Sequence, residues 1–149
     1  AAMPTGQSKR LNVTETVKRA LELYKEAPVV FRADATYFAL LDSTQLVRIV
    51  NNLMSNAIDA CAEVGKPRIH VRLFGDKKWV CLVVEDNGKG VPEALQERIF
   101  EPTFTTKTSG MGLGLSMVKS IAEAFGGAVL FDSTIDAGTR FEVRFPRID

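Results

Sequence analysis

The chain has 149 residues, 46% apolar and 25% charged, enough for one domain that buries about two-thirds of its unfolded surface without a disulfide or metal staple. Its 19 basic and 18 acidic side chains leave a net charge of +1. That balance offers no electrostatic attraction to nucleic acid or to an anionic membrane, so neither is expected as a partner.

Residues 1–10, which include "AAMPTGQSK", read as a disordered end or a cloning remnant, and residues 11–149 as the domain. Asn12 and Glu15 have capping-box spacing ahead of "VTETVKRALELY", where Val13, Val17, Ala20, Leu21 and Tyr24 recur at helical intervals. Pro28 ends that helix. "VVFRAD" and "YFALLD" read as short strands. Asp42 or Ser43 caps the next helix, "STQLVRIVNNLMSNAIDACAEVG", and Gly65 is expected to terminate it. "RIHVRLFG" and "KWVCLVVED" are strands joined by a hairpin at Asp76 and Lys77. "VPEALQERIF" begins with Pro92 and holds about two helical turns. A Gly-rich segment follows, then the helix "LGLSMVKSIAEAFGG", stopping at Gly126 and Gly127. "AVLFDST" and "TRFEVRFP" close the chain as strands around a turn at Asp136 to Gly138.

Strand pairs thus alternate with single helices. That order predicts an α/β two-layer sandwich, a mixed sheet covered on one face by three helices. Cys61 and Cys81 lie inside apolar patterns and far apart, and read as buried reduced thiols of a cytosolic protein. No apolar run approaches the roughly 18 residues of a membrane span, and no signal peptide is seen. The expected location is cytoplasmic, with a membrane anchor elsewhere in a longer protein left open.

Three stretches carry chemistry. On a helical wheel Leu46, Val50, Leu53, Ala57 and Cys61 form a core stripe, with Asn52, Asn56 and Asp59 on a second stripe and Asn51 pointing elsewhere. Two amides one turn apart suit a hard cation or phosphate oxygens better than they suit a helix. On this helix alone a solvated polar face is the alternative. In "VCLVVEDNGKG" the run from Val80 to Val84 is apolar throughout, so both strand faces are expected to be covered. Asp86 stands at the strand's mouth, where a carboxylate can accept a hydrogen bond from an exocyclic amine such as that of adenine. Gly88 and Gly90 let backbone approach the ring. The alternative is a plain Asp-Asn-Gly turn. Finally, "EPTFTTKTSGMGLGLS" sets Gly110, Gly112 and Gly114 ahead of a helix at Leu113, a pattern suited to phosphate. Lys107 and the hydroxyls of Thr105, Thr106 and Thr108 lie within reach. The spacing is neither a P-loop nor a dinucleotide fingerprint.

Taken in order, "NLMSNAIDA", "DNGKG", "FEPTFTTK", "GMGLGLS" and "GTRFEVRFP" resemble the ATP-binding catalytic domain of bacterial sensor histidine kinases. These lie in the wider superfamily of gyrase, Hsp90 and MutL ATPases. The resemblance spans roughly residues 11–147, with a short lid as in kinases of the nitrogen-regulation type. It implies a Bergerat-type fold that binds ATP and Mg²⁺. Asn56 would ligate Mg²⁺ and Asn52 would support the phosphates or metal, the pair serving as the catalytic residues. Asp86 would read the adenine amine, with Gly88 and Gly90 shaping its pocket and Thr139 hydrogen-bonding nearby. Phe100 and Phe104 would anchor a lid, while Thr105, Thr106, Lys107, Gly110, Gly112, Leu113, Gly114 and Leu115 would hold phosphates.

Two positions depart from the family pattern. Hydrolysing members carry a Glu at the place of Asn52, and an amide cannot deprotonate water. Many sensor kinases carry a basic residue at the place of Asp59. The only histidine, His70, falls inside a strand and reads as a partly covered sheet residue, so the phosphate acceptor is expected on a separate helical dimerisation domain. A response regulator would follow indirectly, and the domain alone is expected to be monomeric. A stand-alone serine kinase of the anti-sigma type and a degenerate, non-catalytic binding module are the alternatives.

Overall fold

Local capping starts both of the first two helices. Asn12 Oδ1 accepts the Glu15 N–H at 3.0 Å and opens α1, Val13–Leu21. Val13, Val17, Ala20 and Leu21 are its buried residues, and a 3-10 turn at Glu22–Tyr24 extends it. Asp42 Oδ1 accepts the Thr44 N–H at 2.8 Å and opens α2, Ser43–Ala60. A computed structural model describes residues 7–102 and 114–149.

The strands are β1 (Lys9–Asn12), β2 (Val29–Ala33), β3 (Phe38–Leu41), β4 (Ile69–Gly75), β5 (Trp79–Asp86), β6 (Ala128–Thr134) and β7 (Gly138–Ile148). They form a seven-stranded sheet in the order β1-β3-β7-β5-β4-β2, with β6 also on β7. Among these pairs β2 with β4 is parallel and the others are antiparallel, so the sheet is mixed. β7 is long because one edge serves β5, while the other is divided between β6 and, at Arg147 and Ile148, β3. Helices α1, α2 and α4 (Gly114–Ala124) pack on one face, as expected. α4 gives way to Gly126, whose φ of 83° suits glycine, and the Gly127 N–H closes on Ala122 O.

Three sequence expectations about these elements are corrected. Lys9 and Arg10 do not belong to a disordered end: they pair with Leu41 and Leu40 in β1. Arg10 stacks its guanidinium 3.8 Å from the Phe38 ring centroid and donates Nε–H to Asp149 O. Next, α2 stops at Ala60, short of Gly65. The Lys89 N–H takes the Ala60 carbonyl at 3.0 Å, so a tertiary contact ends the helix early. Third, the segment after Pro92 holds a single helical turn, α3 (Glu93–Gln96). Its later bonds, Arg98 to Leu95 and Glu101 to Arg98, are of the tighter i→i+3 kind.

The expectation that β5 is covered on both faces holds, by different means on each. Val80, Leu82 and Val84 face the helices and join the core. Cys81 and Val83 are also buried, yet stand outside the core cluster that the described helices join. Their cross-strand neighbours are Phe74 and Arg144 for Cys81, and Arg72 and Glu142 for Val83. The long stems of Arg and Glu cover apolar surface while their heads stay in water. Arg72 reaches toward Glu85, and Arg144 lies over Trp79. The second face is therefore covered by side chains of the sheet itself.

Substitution should expose the difference between the two faces. Leu53→Ala empties a site that is 1% exposed in α2 and should cost about 2–5 kcal/mol. Leu40→Ala, at a residue 52% exposed on β3, should change stability by less than about 0.5 kcal/mol. Urea unfolding followed by circular dichroism measures both.

Candidate functional site

The site is organised around the end of β5. Strand alternation turns Asp86 toward the helix side, and it is only 7% exposed. Its Oδ1 accepts the Gly88 N–H at 2.8 Å. Burial pushes the Asp86 carboxyl above its ordinary value, against the opposing pull of the Gly88 and Thr139 amides. No cation pairs with it among the described residues, so its acceptor capacity is not spent on a structural ion pair.

The loop after Asp86 is pressed between two elements. On one side the would-be Cβ of Gly88 lies 2.5 Å from Ala60 O, at the end of α2. On the other, Gly90 has φ of 73°, and a Cβ there would meet Thr134 O at 2.3 Å. Side chains larger than glycine do not fit at either position. The β6–β7 hairpin secures the same loop: Asp136 N–H donates to Lys89 O, and Val91 N–H donates to Ser133 Oγ, each at 2.8 Å. Thr139 is directly opposite Asp86 in the β5–β7 ladder. Its main-chain amide favours the ionised Asp86, while its hydroxyl lies 2.9 Å from Ser133 Oγ.

From Ala60 the amides run back along α2. Asn56 is one turn away and half-buried, and its Nδ2 is buried without a hydrogen-bond partner among the described residues. Asn52 is a further turn on. Its Nδ2 sits 3.9 Å from Met117 Sδ, and a Cβ on Gly114 would come within 3.1 Å of its Oδ1. α4 thus begins against Asn52. The span from Ala60 to Asn52 is about 12 Å at ~1.5 Å per residue, comparable with a nucleoside carrying its phosphates. Asn51, as expected, points elsewhere: its Oδ1 accepts the Tyr24 hydroxyl at 2.7 Å. Asp59 is exposed, and Leu115 packs on the core.

Phe100 closes the described part of the next segment. Its ring makes edge contacts with Phe131 and Phe141, each with centroids 6.4 Å apart. The candidates Phe104, Thr105, Thr106, Lys107, Thr108, Gly110, Gly112 and Leu113 lie outside the described residues. Among the described residues no cluster of three or more His, Cys, Asp or Glu offers a ready-made metal site. A cation at Asn56 would draw its remaining ligands from phosphate and water, the usual habit of Mg²⁺. The orphaned Asn56 Nδ2 is a donor that suits a phosphate oxygen, its Oδ1 is the atom a cation would use, and the acidic acceptor at Asp86 suits an amine.

His70 is exposed rather than partly covered, and on β4 it alternates away from the core residues Ile69 and Val71. It lines a concavity of about 410 Å³ on the open face of the sheet, with Arg68, Glu85, Asp132 and Arg140. Charges of both signs line that hollow, on the face away from Asn52 and Asn56. Ser133 and Met117 escaped the sequence reading. Neither lies in a recognisable pattern, and only the β6–β7 pairing and the α2–α4 contact bring them to the site.

The chain matches the family model described as histidine kinase-, DNA gyrase B- and HSP90-like ATPase over residues 41–149. It is 34% identical to the alginate biosynthesis sensor protein KinB of Pseudomonas aeruginosa, over 97% of this chain and 22% of that protein. Sporulation kinase A of Bacillus subtilis is 36% identical over 71% of this chain and 17% of its own length. The chain thus spans about a fifth of these relatives. Among solved structures, a mycobacterial sensor histidine kinase, MprB, superposes with a TM-score of 0.81 at 28% identity, covering 93% of this chain and 98% of that one. The nucleotide-free catalytic domain of histidine kinase ThkA gives 0.80 at 30% identity, covering 95% and 96%. No helix among the described residues is long and apolar enough to cross a membrane. The chain belongs to the histidine kinase-, DNA gyrase B- and HSP90-like ATPase family and is an ATPase domain of the sensor histidine kinase type.

Proposed function

We propose that the domain binds Mg-ATP and transfers the γ-phosphoryl group to a histidine on a separate helical dimerisation domain of the same kinase, in two-component signalling. A response regulator then receives the phosphoryl group from that histidine. One observation carries the reading: the loop after Asp86 meets the end of α2 at Ala60, Asn56 and Asn52 follow at successive turns back along that helix, and α4 begins against Asn52.

Each residue has a part. Asp86 accepts a hydrogen bond from the adenine amine, and the tight glycines at 88 and 90 let the loop beside it close on α2 and the β6–β7 hairpin. Asn56 offers its amide oxygen to the cation and Asn52 to the phosphate region. Bound Mg²⁺ would supply charge neutralisation to the β- and γ-phosphates. The N-terminus of α4, opening at Gly114 beside Asn52, contributes the positive end of its dipole. Leu115 and the candidates of the 103–113 segment, with Lys107 as the cation, complete the phosphate side. Asn52 cannot act as a base toward water, which favours transfer over hydrolysis. His70, on the opposite sheet face, is not the acceptor. In the whole kinase this domain works in the cytoplasm, where ATP is available.

The test is radiolabelled ATP with the 149-residue chain, alone and with the kinase's histidine-bearing domain supplied in trans. The chain alone should bind Mg-ATP, hydrolyse it slowly and not label itself. The mixture should yield an acid-labile, base-stable phosphoryl group, and Asn56→Ala should abolish it. Strong self-labelling, or an acid-stable product on serine, would overturn the reading.

Asp86→Asn should act in opposite directions on binding and stability. It presents a donor to the adenine amine, so calorimetry should show ATP affinity reduced about tenfold to a hundredfold. The same change removes a buried charge. Because the folded pKa of Asp86 is raised, wild type gains stability as the carboxyl protonates and is handicapped above that pKa. The variant should therefore melt higher than wild type at neutral pH. The gap should close on acidification and vanish below the ordinary value of 3.8. Thermal melts from neutral to acid pH check the sign.

A further inference from the structure

Asn87 is the residue of the Asp-Asn-Gly turn that the nucleotide reading leaves without a part. Its side chain is fully engaged, and on the side away from the ligand. Oδ1 accepts the Arg68 N–H at 2.7 Å and the Cys61 S–H at 3.6 Å. Nδ2 donates to Lys66 O at 2.9 Å. The Asn87 backbone N–H donates to Arg68 O at 3.2 Å, so residues 68 and 87 exchange bonds in both directions. Burial, and after it the Asp86 charge, push the Cys61 thiol up, which keeps it an S–H donor.

The stretch these bonds hold is the α2–β4 connection, residues 61–68. Its other described hydrogen bonds are short-range turns, Ala62 to Asp59 and Val64 to Cys61. Asn87 therefore supplies what ties this connection to β5. The ladder between β4 and β5 ends at the Ile69–Asp86 pair, and Asn87 extends it by one rung made partly of side chain. Asp86 is the last regular residue before that rung. Its carboxylate accepts the Gly88 N–H at Oδ1 and is also drawn on by the Thr139 amide, so where it stands depends on how the backbone at 86–87 is held between the two neighbouring strands. On the β7 side that backbone is held by Gly138, whose would-be Cβ lies 1.9 Å from Asp86 O. On the β4 side Asn87 holds it.

We propose that Asn87 is a positioning residue for adenine recognition: it pins the α2–β4 connection to the tip of β5 and thereby fixes where the Asp86 carboxylate stands. This rests on the ATP-binding reading above. An amide is needed because the two partners differ in kind, a donor at Arg68 and an acceptor at Lys66. Alanine can serve neither, and serine has one shorter-reaching oxygen where the amide has two separate atoms. Cys61 adds a third bond from the end of α2, so the same amide also sets the spacing between Asp86 and that helix.

The test compares ATP with inosine triphosphate. The two share ribose and phosphates, but inosine carries a carbonyl where adenine carries the amine, so only ATP uses Asp86. Calorimetry is run on wild type, Asn87→Ala and Asn87→Ser, with thermal melts and hydrogen exchange at the Arg68 amide. Wild type should prefer ATP. In Asn87→Ala ATP affinity should fall about tenfold while that of inosine triphosphate changes less than about twofold, with faster exchange at Arg68. Asn87→Ser should shift the ratio in the same direction and serves if the alanine variant does not fold. A parallel fall for both nucleotides, or an unchanged ratio, overturns the positioning role and leaves the ATP reading intact. A wild type that binds neither nucleotide overturns both.

Discussion

Asp86 is a carboxylate held almost out of water with no cation beside it, and the geometry of the site follows from keeping it there. A buried carboxylate is costly, and the fold offsets the cost only in part, through two backbone amides. Those amides must come close. The β6–β7 hairpin therefore runs flush against the strand end, which Gly138 permits, with its φ of 125° and no side chain toward Asp86 O. The following loop bends back over α2, which Gly88 permits. A fold selected for stability alone would place an apolar or uncharged residue here. The residual acceptor capacity of Asp86 is what a ligand amine can use.

α2 serves as the ruler of the site. One side of it is core, from Leu46 to Ala57, and fixes its distance from the sheet. Its end is set by the Lys89 contact, so Ala60 marks the proposed base side. Its middle meets the start of α4 at Asn52, the proposed phosphate side. Asn56 lies between with a buried amide group unpaired, a state that costs about 1–3 kcal/mol until a partner arrives. Polar groups that weaken the empty domain are thus gathered on one line. The residues that hold them there, Asn87, Ser133 and Thr139, have their own side-chain bonds satisfied within the protein.

The open face of the sheet has a different logic. A two-layer domain leaves one sheet face to solvent, and β5 is apolar on both. Rows of Arg and Glu from β4 and β7 cover Cys81 and Val83 without a further layer. Their charges alternate across the strands, as in the row Glu85, Arg140, Asp132, so the face carries little net field. This agrees with the near-zero charge of the chain. It also separates the only histidine from Asn52 and Asn56 by the thickness of the sheet.

Much of this was legible in the sequence because it depends on near neighbours. Helical spacing marked the core stripe of α2, and Asn12 announced its cap through a residue three positions away. The amide stripe and the Asp-Asn-Gly-Lys-Gly run were visible as residue types unsuited to plain structure, and their order along the chain pointed to the family. What periodicity could not supply were contacts between distant segments. The end of α2 depends on Lys89, the cover of Val83 on Arg72 and Glu142, and the pairing of Lys9 on Leu41. Asn87 read as a turn residue, since its partners at 61, 66 and 68 become neighbours only when β4 and β5 pair. Local propensity is a property of a few adjacent residues, whereas burial and hydrogen-bond satisfaction are settled by the whole chain. The sequence by itself determined which side chains could bind a nucleotide. The tertiary structure decided which of them face one another, because only strand pairing and helix packing bring those segments together.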